Sequence, residues 1–464
     1  MTARELARGV MEASTGSRDF VDYSRALAQL AFSRNRRLAA EATHAVFSDV
    51  VQPLADRFDT ASSDAHAAFM AEVVHAPGSP IAETLHTLGY GSPEGLVERY
   101  SKVGYKYLQE PFDAEDIEQA VVLSRVGIKE DFAVTSTILG CARYAFRGAD
   151  IDFVAPKKNA YLFASPHAFN RRIVSYPHTS PLAYRLLAWK RVRRAVQTCI
   201  QGFPPDERLV VDPDSCMTLH GLLPLGDDSC LRFFPSRTYA EEEPSRIADL
   251  AAAWCGDWFF WGGPEAHPYV VDNTGSSERG FALAFTLRKK LAGVSFSVAG
   301  RESVRLGGDF EDSLLELLRK HGYWTVLDGG RDESDAAVVA ERVRAFRGTM
   351  KELAVAKDGR RNHARLMTSK GTLRDFGGWI SRALVYIGYD SAASHVAASM
   401  GMRVAYVSVG APNETYAARW TPVACDSQFD EVDSVSAEGP DDGPAVLERI
   451  EAVLEEVSAD APWS

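Results

Sequence analysis

The stretch Tyr386-Ile-Gly-Tyr-Asp-Ser-Ala-Ala-Ser-His395 joins a strand to a helix through a tight turn of small residues. The strand is predicted at Leu384–Ile387, which is apolar, and the helix begins near His395. Because the first N–H groups of a helix lack partners within it, such a turn suits a phosphate or another anion. We expect Asp390 and Ser391 to hold sugar hydroxyl groups and His395 to contact phosphate. The alternative is that the two polar residues only cap the helix and that the histidine is an ordinary surface residue.

Apolar runs of strand length alternate with helical patterns on both sides of this stretch. In the second half of the chain the predicted strands are Val294–Val298, Tyr323–Leu327, Leu384–Ile387 and Val404–Val409. The predicted helices include Phe310–His321, Ser334–Phe346 and Leu373–Ser381. This alternation predicts a parallel sheet with helices on its faces, whose ligands bind at the carboxyl ends of the strands.

An earlier series of strands follows a purely helical start. Its predicted strands are Ala120–Val126, Ile151–Ala155, Arg208–Val211, Leu231–Phe234, Trp258–Trp261 and Tyr269–Val271. We therefore expect an α/β chain of two facing Rossmann-like domains with parallel sheets, preceded by an all-helical N-terminal region. The predicted boundaries are 1–118 for the helical region, 119–290 and 291–425 for the two Rossmann-like domains, and 426–464 for an acidic tail that ends in a helix.

Composition excludes several classes of protein. The 464 residues are 46% apolar and 25% charged, as in ordinary globular chains. The net charge of −12 is concentrated in residues 426–464, which hold 12 acidic residues and one basic residue. The nearly neutral remainder argues against a nucleic-acid partner. The N-terminus lacks the apolar core of a signal peptide and no apolar run nears a membrane span, so we expect a cytoplasmic protein without integral membrane association.

The stretch Leu384–Gly401, with Arg419, Trp420 and Pro422 after it, resembles glycosyltransferase family 9. That family includes the lipopolysaccharide heptosyltransferases, and its pattern is Asp-Ser/Thr-Gly-x-x-His-x-Ala-Ala-x-x-Gly. The resemblance implies a GT-B fold, no essential metal or other cofactor, and a nucleotide-sugar donor held mainly by the C-terminal domain, with ADP-heptose as the family default. Ala392 stands where the family usually has glycine, and its N–H reaches phosphate provided that its φ is negative.

The resemblance also implies a set of donor contacts. A basic residue after the first strand of the C-terminal half would grip the donor phosphates, because a guanidinium can bind two phosphate oxygens at once. The implied donor-binding residues are Arg301, Arg305, Lys370, Asp390, Ser391, Ala392, Ala393 and His395. For the two arginines, the alternative is an ordinary solvated loop.

In the N-terminal half, Leu123–Val134 resembles the first strand and the Gly-Asp turn of the family. Asp131 takes the place of the catalytic carboxylate, and Glu130 stands where the glycine is usual. Glycosyl transfer with inversion needs such a base to deprotonate the attacking hydroxyl group. The alternative is that Asp131 only caps the following helix. Lys157, Lys158 and Asn159 are predicted to contact the acceptor, with Tyr176 and His178 as weaker candidates.

The leading hypothesis is a metal-independent inverting glycosyltransferase with a soluble acceptor, which could be a small natural product, a nucleotide scaffold or a protein. A lipopolysaccharide-core heptosyltransferase is one alternative. Glu130 and Ala392 motivate another, a degenerate GT-B protein that binds a nucleotide or a sugar without turnover. The N-terminal helices could also serve self-association, in a protein that acts mainly as an assembly module.

The remaining polar and aromatic motifs are expected to be structural. The six cysteines contain no C-x-x-C pair, which favours buried, reduced thiols. The pairs Asp150-Ile-Asp152 and Asp212-Pro-Asp214 lie beside a strand and at a proline turn, so structural roles are favoured over metal binding. The aromatic cluster is expected to pack in the core and comprises Trp254, Trp258, Phe259, Phe260 and Trp261.

Overall fold

The computed structural model describes residues 1–104, 114–163, 169–241, 245–259, 290–298, 302–330, 333–356, 366–369, 371–424 and 432–459. Two compact units divide the chain. The first comprises Met1–Tyr161 with Ser165–Ala266, and the second comprises His267–Ser464 with Leu162–Ala164. Among the described residues, no helix is both long enough and apolar enough to cross a membrane.

The first unit begins with seven helices. They are α1 (Ala3–Glu12), α2 (Arg18–Ala31), α3 (Arg36–His44), α4 (Gln52–Ala55), α5 (Thr60–His75), α6 (Ala82–Thr87) and α7 (Pro93–Gly104), with a π-helical turn at Ala45–Val51. Capping explains where they start: Thr2 and Glu5 form a capping box at α1, and Asp59 accepts the Ser62 N–H at α5. The described part of residues 1–115 contains no strand, as predicted.

These helices do not form a domain of their own. Their apolar faces share one core with residues of the following α/β region, such as Leu186, Trp189 and Leu222. Thr43 also accepts a hydrogen bond from the Leu182 N–H at 2.9 Å. The predicted boundary at residues 118 and 119 therefore lies inside the first unit. The self-association predicted for the helices stays a prediction, although much of their apolar surface is already buried within the chain.

A five-stranded parallel sheet forms the centre of the first unit. Its strands are β1 (Gln119–Leu123), β2 (Asp150–Ala155), β3 (Asn170–Ile173), β4 (Arg208–Asp212) and β5 (Leu231–Phe233), in the order β3-β2-β1-β4-β5. Its helices are α8 (Ile128–Glu130), α9 (Ser136–Ala145), α10 (Lys157–Ala160), α11 (Leu182–Ile200) and α12 (Ile247–Phe259). The polar edge strand β3 was not predicted from the sequence.

The strand predicted at Trp258–Trp261 is wrong in its described part. Residues Ile247–Phe259 form a helix, because the large apolar residues recur every four positions and share its buried face. Trp254 on that face contacts Phe234 and Trp258, so the described aromatic residues pack in the core as expected. Phe260, Trp261 and the strand predicted at Tyr269–Val271 lie outside the described residues.

The second unit contains a six-stranded parallel sheet in the order β11-β10-β9-β6-β7-β8. The strands are β6 (Leu291–Ser295), β7 (Trp324–Asp328), β8 (Leu366–Ser369), β9 (Val385–Tyr389), β10 (Arg403–Val409) and β11 (Val432–Ala437). The helices are α13 (Gly308–Lys320), α14 (Glu333–Ala356), α15 (Leu373–Ile380), α16 (Ala392–Ala398), α17 (Glu414–Arg419) and α18 (Gly443–Ala459). Their apolar residues form a separate core with the sheet.

The acidic segment after residue 425 is part of this sheet and not a separate tail. The strand β11 pairs with β10 from Val404–Val432 to Val409–Ala437. The helix α18 buries four apolar side chains against the sheet, namely Val446, Ile450, Val453 and Leu454. Arg403 binds Asp433 and Glu456, which places two of the acidic residues in ion pairs. The sequence predicted the helix but missed the strand.

Candidate functional site

Each sheet contains one position where the direction of strand addition reverses. In the first sheet, β2 and β3 follow β1 on one side, and β4 and β5 lie on its other side. In the second, β7 and β8 follow β6 on one side, and β9, β10 and β11 lie on the other. Loops diverge at the carboxyl ends of the two central strands, and ligands of open α/β sheets bind at such positions. The candidate residues therefore follow β1, β4, β6 and β9.

The turn after β9 holds the residues that the sequence singled out. Asp390 is buried, and its carboxylate faces the hydroxyl group of Tyr416 at 3.5 Å. Ser391 occupies the N-cap position of α16 in extended backbone, with φ −152°, but its side chain makes no capping hydrogen bond. Its hydroxyl group is buried and has no hydrogen-bond partner among the described residues. A buried hydroxyl group without a partner is costly, so Ser391 has hydrogen-bonding capacity left for a ligand.

The other residues of this turn also fit a ligand site better than the structural alternatives given for them. His395 is only 6% exposed, so it is not a surface residue. Ala392 and Ala393 form the first turn of α16, and the helical backbone at Ala392 suits alanine as well as glycine. The structure thus brings together five of the eight predicted donor-binding residues on one turn at the carboxyl edge of the second sheet. A small pocket beside it is lined by Asp390, Val304, Tyr416 and residues 407–412.

Arg305 lies near this edge but is held by other residues of the second unit. Its guanidinium donates to the carbonyl group of Phe296 and forms ion pairs with Glu311 at 3.2 Å and Asp335 at 2.7 Å. It is 8% exposed, so it is not the solvated loop arginine of the alternative interpretation. Its contact with a donor phosphate stays a prediction. Arg301 and Lys370 lie outside the described residues.

Asp131 lies at the corresponding edge of the first sheet and is fully buried. Its carboxylate accepts hydrogen bonds from four donors, which are Ser124 Oγ at 2.6 Å, the Arg125 N–H at 2.7 Å, Thr135 Oγ1 at 2.7 Å and Asn159 Nδ2 at 2.6 Å. Burial raises the pKa of Asp131, and the hydrogen bonds oppose that shift. It does not cap the following helix, because Thr135 is the N-cap residue of α9. Its role as a base stays a prediction.

The three residues predicted to contact the acceptor lie in different environments. Lys157 and Lys158 are exposed, whereas Asn159 is fully buried. The Asn159 amide donates both to Asp131 and to the carbonyl group of Val126, at 2.8 Å. Asn159 therefore supports Asp131, and its contact with an acceptor stays a prediction. Tyr176, a weaker candidate, donates to the Cys216 carbonyl group at 2.8 Å.

A second polar cluster follows β4 and β5, and sequence reasoning missed it. Asp214 accepts hydrogen bonds from His220 Nδ1 at 2.9 Å and from Ser236 Oγ at 2.5 Å. The guanidinium groups of Arg125 and Arg237 lie 3.5 and 3.6 Å from its carboxylate. Burial alone would raise the pKa of Asp214, but the surrounding positive charges lower it well below the usual value. Asp214 therefore carries a negative charge between two buried cations.

The acidic pairs considered for metal binding are used by the chain itself. Asp152 accepts hydrogen bonds from Gln119 and Arg172, and Asp212 accepts from the Ser215 N–H and the Thr218 hydroxyl group. Burial raises the pKa of Asp212 to about 6. Within the described ranges, no group of three or more histidine, cysteine, aspartate or glutamate side chains is arranged to hold a metal ion.

Comparison with solved structures identifies the fold. A glycosyltransferase family 9 structure from Veillonella parvula superposes with a TM-score of 0.54 at 14% identity, covering 75% of this chain and 100% of that one. The ADP-heptose lipopolysaccharide heptosyltransferase II of E. coli superposes with a TM-score of 0.50 at 14% identity, covering 73% of this chain and 99% of that one.

The chain has the fold of these proteins. The two-domain α/β fold of GT-B type that the family resemblance implied is thus confirmed. No protein-family model matches the sequence, and no curated protein sequence matches it.

Proposed function

We propose that this protein is a glycosyltransferase that moves a sugar from a nucleotide-diphosphate donor to a soluble acceptor. The fold supports the proposal, since both solved structures named above are described as glycosyltransferases. The observation that carries it is the turn after β9, where the buried Ser391 hydroxyl group and Asp390 lie at the strand-order reversal of the second sheet. Such a position favours a nucleotide ligand.

In the proposed reaction the second unit binds the donor. Asp390 and Ser391 hold sugar hydroxyl groups, and the N–H groups at the start of α16 face the diphosphate. Donors of this kind stabilise the negative charge that develops on a leaving nucleotide diphosphate. We further propose ADP as the nucleotide, heptose as the sugar and transfer without a metal ion, as the family resemblance implies.

The first unit would bind the acceptor. Asp131 would accept the proton of the attacking hydroxyl group, since the raised pKa of this buried carboxyl makes it a stronger base than an exposed one. A cytoplasmic setting belongs to the proposal. The cysteines of the described residues are free thiols, and these persist in a reducing compartment.

Nucleotide-dependent stabilisation tests donor binding. Thermal midpoints would be measured with ADP, UDP, GDP and dTDP on the wild type, Asp390→Ala, Ser391→Ala and, as a control, Ser399→Ala at the other end of α16. Ser399 donates to the Val396 carbonyl group and lies away from the turn. A ligand at 100 times its Kd stabilises by about 2.7 kcal/mol. We expect ADP to stabilise the wild type and Ser399→Ala but neither turn variant. Equal stabilisation of all four proteins, or of none, would contradict the proposal.

A second candidate function is donor binding without turnover. The observation that favours it is the environment of Asp131, whose two carboxylate oxygens already accept four hydrogen bonds within the chain. Release of ADP from an ADP-linked sugar distinguishes the two candidates. A glycosyltransferase releases the nucleotide slowly to water and faster with an acceptor, whereas a protein that only binds the donor releases none.

A further inference from the structure

Arg237 is a buried cation whose hydrogen-bonding groups are left unused by the described part of the chain. It is 7% exposed, and its one ion pair there is with Asp214 at 3.6 Å, which is longer than a hydrogen bond. A guanidinium carries five N–H donors, and burying such a charge without partners is costly. Its N–H groups are therefore available to water or to a ligand.

Two other buried arginines show how this chain can satisfy a guanidinium. Arg99 is 4% exposed and donates to both carboxylate oxygens of Asp228, at 2.9 and 2.6 Å. It also donates to the carbonyl groups of Gly221 and Leu222. Arg305 has a similar set of one carbonyl group and two carboxylates. Compared with these two, Arg237 has no acceptor within hydrogen-bond distance among the described residues.

The charges around Arg237 favour an anion. Arg125 and Arg237 share the single carboxylate of Asp214, so this group of three carries a formal charge of about +1. Burial and the charge of Arg237 lower the pKa values of His220 and His66, which are therefore neutral at pH 7. The thiol of Cys216 has its pKa raised to about 12 by burial and is neutral as well.

A second buried group beside Arg237 also lacks a partner. His66 is 1% exposed, and its Nδ1 atom makes no hydrogen bond within the described ranges. Its ring packs edge-on against His220, with centroids 5.3 Å apart, and His220 binds Asp214. Unused polar groups on two different elements thus lie around one carboxylate. Such groups are available to hydrogen-bond a ligand.

The place of the cluster in the fold is that of a ligand site. Arg125 follows β1, Asp214 follows β4 and Arg237 follows β5, so all three lie beyond the carboxyl ends of adjacent strands. The reversal of strand order in the first sheet falls between β1 and β4. Arg125 also donates its backbone N–H to Asp131, which joins the cluster to the proposed base.

We propose that Arg237, together with Arg125, binds an oxyanion of the acceptor, either a phosphate or a carboxylate group. The guanidinium fork matches both groups, because each presents two oxygens in one plane. That the oxyanion belongs to the acceptor rests on the proposed function, whereas oxyanion binding at this cluster does not depend on it. The acceptor is then an anionic molecule that carries its charge close to the hydroxyl group that is glycosylated.

Oxyanion binding is tested by thermal midpoints at constant ionic strength, with inorganic phosphate in one arm and acetate in the other. Saturating ADP is present throughout, so that the proposed donor site is filled. The variants are Arg237→Gln and Arg237→Lys, and the control is Arg194→Gln, which removes an exposed positive charge from α11. We expect phosphate or acetate to stabilise the wild type and the control, with at least a tenfold weaker apparent Kd in Arg237→Gln.

Each outcome decides the proposal. The same apparent Kd in Arg237→Gln and the wild type overturns it, as does the absence of a response to both anions in the wild type. Should Arg237→Gln fail to fold by circular dichroism, Arg237→Lys decides: we expect it to bind severalfold more weakly, and an unchanged Kd overturns the proposal. The arm that responds identifies the anion. If ADP does not stabilise the wild type, that result contradicts the proposed function and leaves the proposal of oxyanion binding unaffected.

Discussion

Asn159 donates a hydrogen bond of 2.6 Å to Oδ2 of Asp131, although the two residues follow different strands and lie 28 positions apart. The same amide holds the carbonyl group of Val126, a β-branched residue with φ +79°. Positive φ is costly for valine and persists only where neighbouring groups enforce it. One buried side chain therefore stabilises both a strained turn and the carboxylate proposed as the base.

Replacing Asn159 by leucine removes both of these hydrogen bonds at nearly constant volume. The Val126 carbonyl group and one oxygen of Asp131 lose a buried donor, and each such loss costs about 1–3 kcal/mol. We expect a fall of that order in the free energy of unfolding, measured by urea denaturation. The control Lys158→Ala, at an exposed neighbour, should stay within about 0.5 kcal/mol of the wild type. A similar change in both variants would contradict the role given to Asn159.

We expect Glu311 to make the stability of the protein depend on pH. Burial raises its pKa from 4.5 to about 7, although Arg305 and Arg342 oppose the shift. Between these two pKa values the folded state binds the proton more tightly than the unfolded state, so the free energy of unfolding falls as pH rises from 4.5 to 7. The loss is on the order of 3 kcal/mol and ends above the folded-state pKa.

The variant Glu311→Gln tests this assignment. It cannot titrate, so its free energy of unfolding should change less than that of the wild type over pH 4.5–7. The exposed Glu448→Gln serves as the control and should keep the wild-type slope. Urea denaturation at four pH values in this window measures all three proteins, and parallel curves would show that another group causes the pH dependence.

Gly388 occupies a strand position with no room for a side chain. A Cβ atom there would lie 2.4 Å from the hydroxyl oxygen of Tyr386 and 2.9 Å from the carbonyl oxygen of Ser295 on the neighbouring strand. We expect Gly388→Ala to lower the free energy of unfolding by about 1–3 kcal/mol through overpacking. Tyr386→Phe removes the 2.4 Å contact but leaves the ring carbon Cζ of residue 386 at 2.9 Å, so the double variant should recover part of the loss.

Gly95 offers the matched control for that substitution. It lies in α7, where the nearest atom to an added Cβ is Ser92 Oγ at 3.7 Å. Gly95→Ala should be neutral or stabilising by up to about 1 kcal/mol, because alanine favours the helix. Thermal or urea unfolding of the four variants checks the prediction, and a stable Gly388→Ala would refute it.

Asp214 is the shared counter-ion of two buried arginines, so its charge should matter more than its shape. Asp214→Asn keeps the volume but leaves Arg125 and Arg237 without a counter-ion. Removal of one partner from a buried ion pair costs about 3–5 kcal/mol. We expect a loss of that order in urea denaturation, with added phosphate restoring part of it. An unchanged stability would mean that the two arginines are solvated and that the cluster carries no excess charge.

The sequence predicted the central strands of both sheets and missed three strands at their edges. Central strands such as Val385–Tyr389 are buried throughout, so they appear in the sequence as continuous apolar runs. The missed strands β3, β8 and β11 are all edge strands, which are partly exposed and therefore more polar. Their pairing depends on tertiary neighbours, which a local pattern does not contain.

The same difference between local patterns and tertiary contacts separates the site residues that were predicted from those that were missed. Asp390, Ser391 and His395 were found because the small residues between a strand and a helix are local features. Arg237 was missed because a single arginine after a three-residue strand forms no sequence pattern, and its position beside Asp214 arises only when β1, β4 and β5 meet. Asn159 was singled out for its position after β2, but whether it faced solvent or Asp131 depended on packing.

The late position of β11 in the chain has a consequence for biosynthesis. The strand β10, next to the proposed donor turn, is covered on its outer edge by β11, which the ribosome produces after every other strand of that sheet. Until residues 432–437 have emerged from the ribosome, β10 presents an open edge to neighbouring nascent chains. The first unit has by then received all of its own strands. The proposed acceptor half can therefore fold during translation, while the donor half must wait for its last strand.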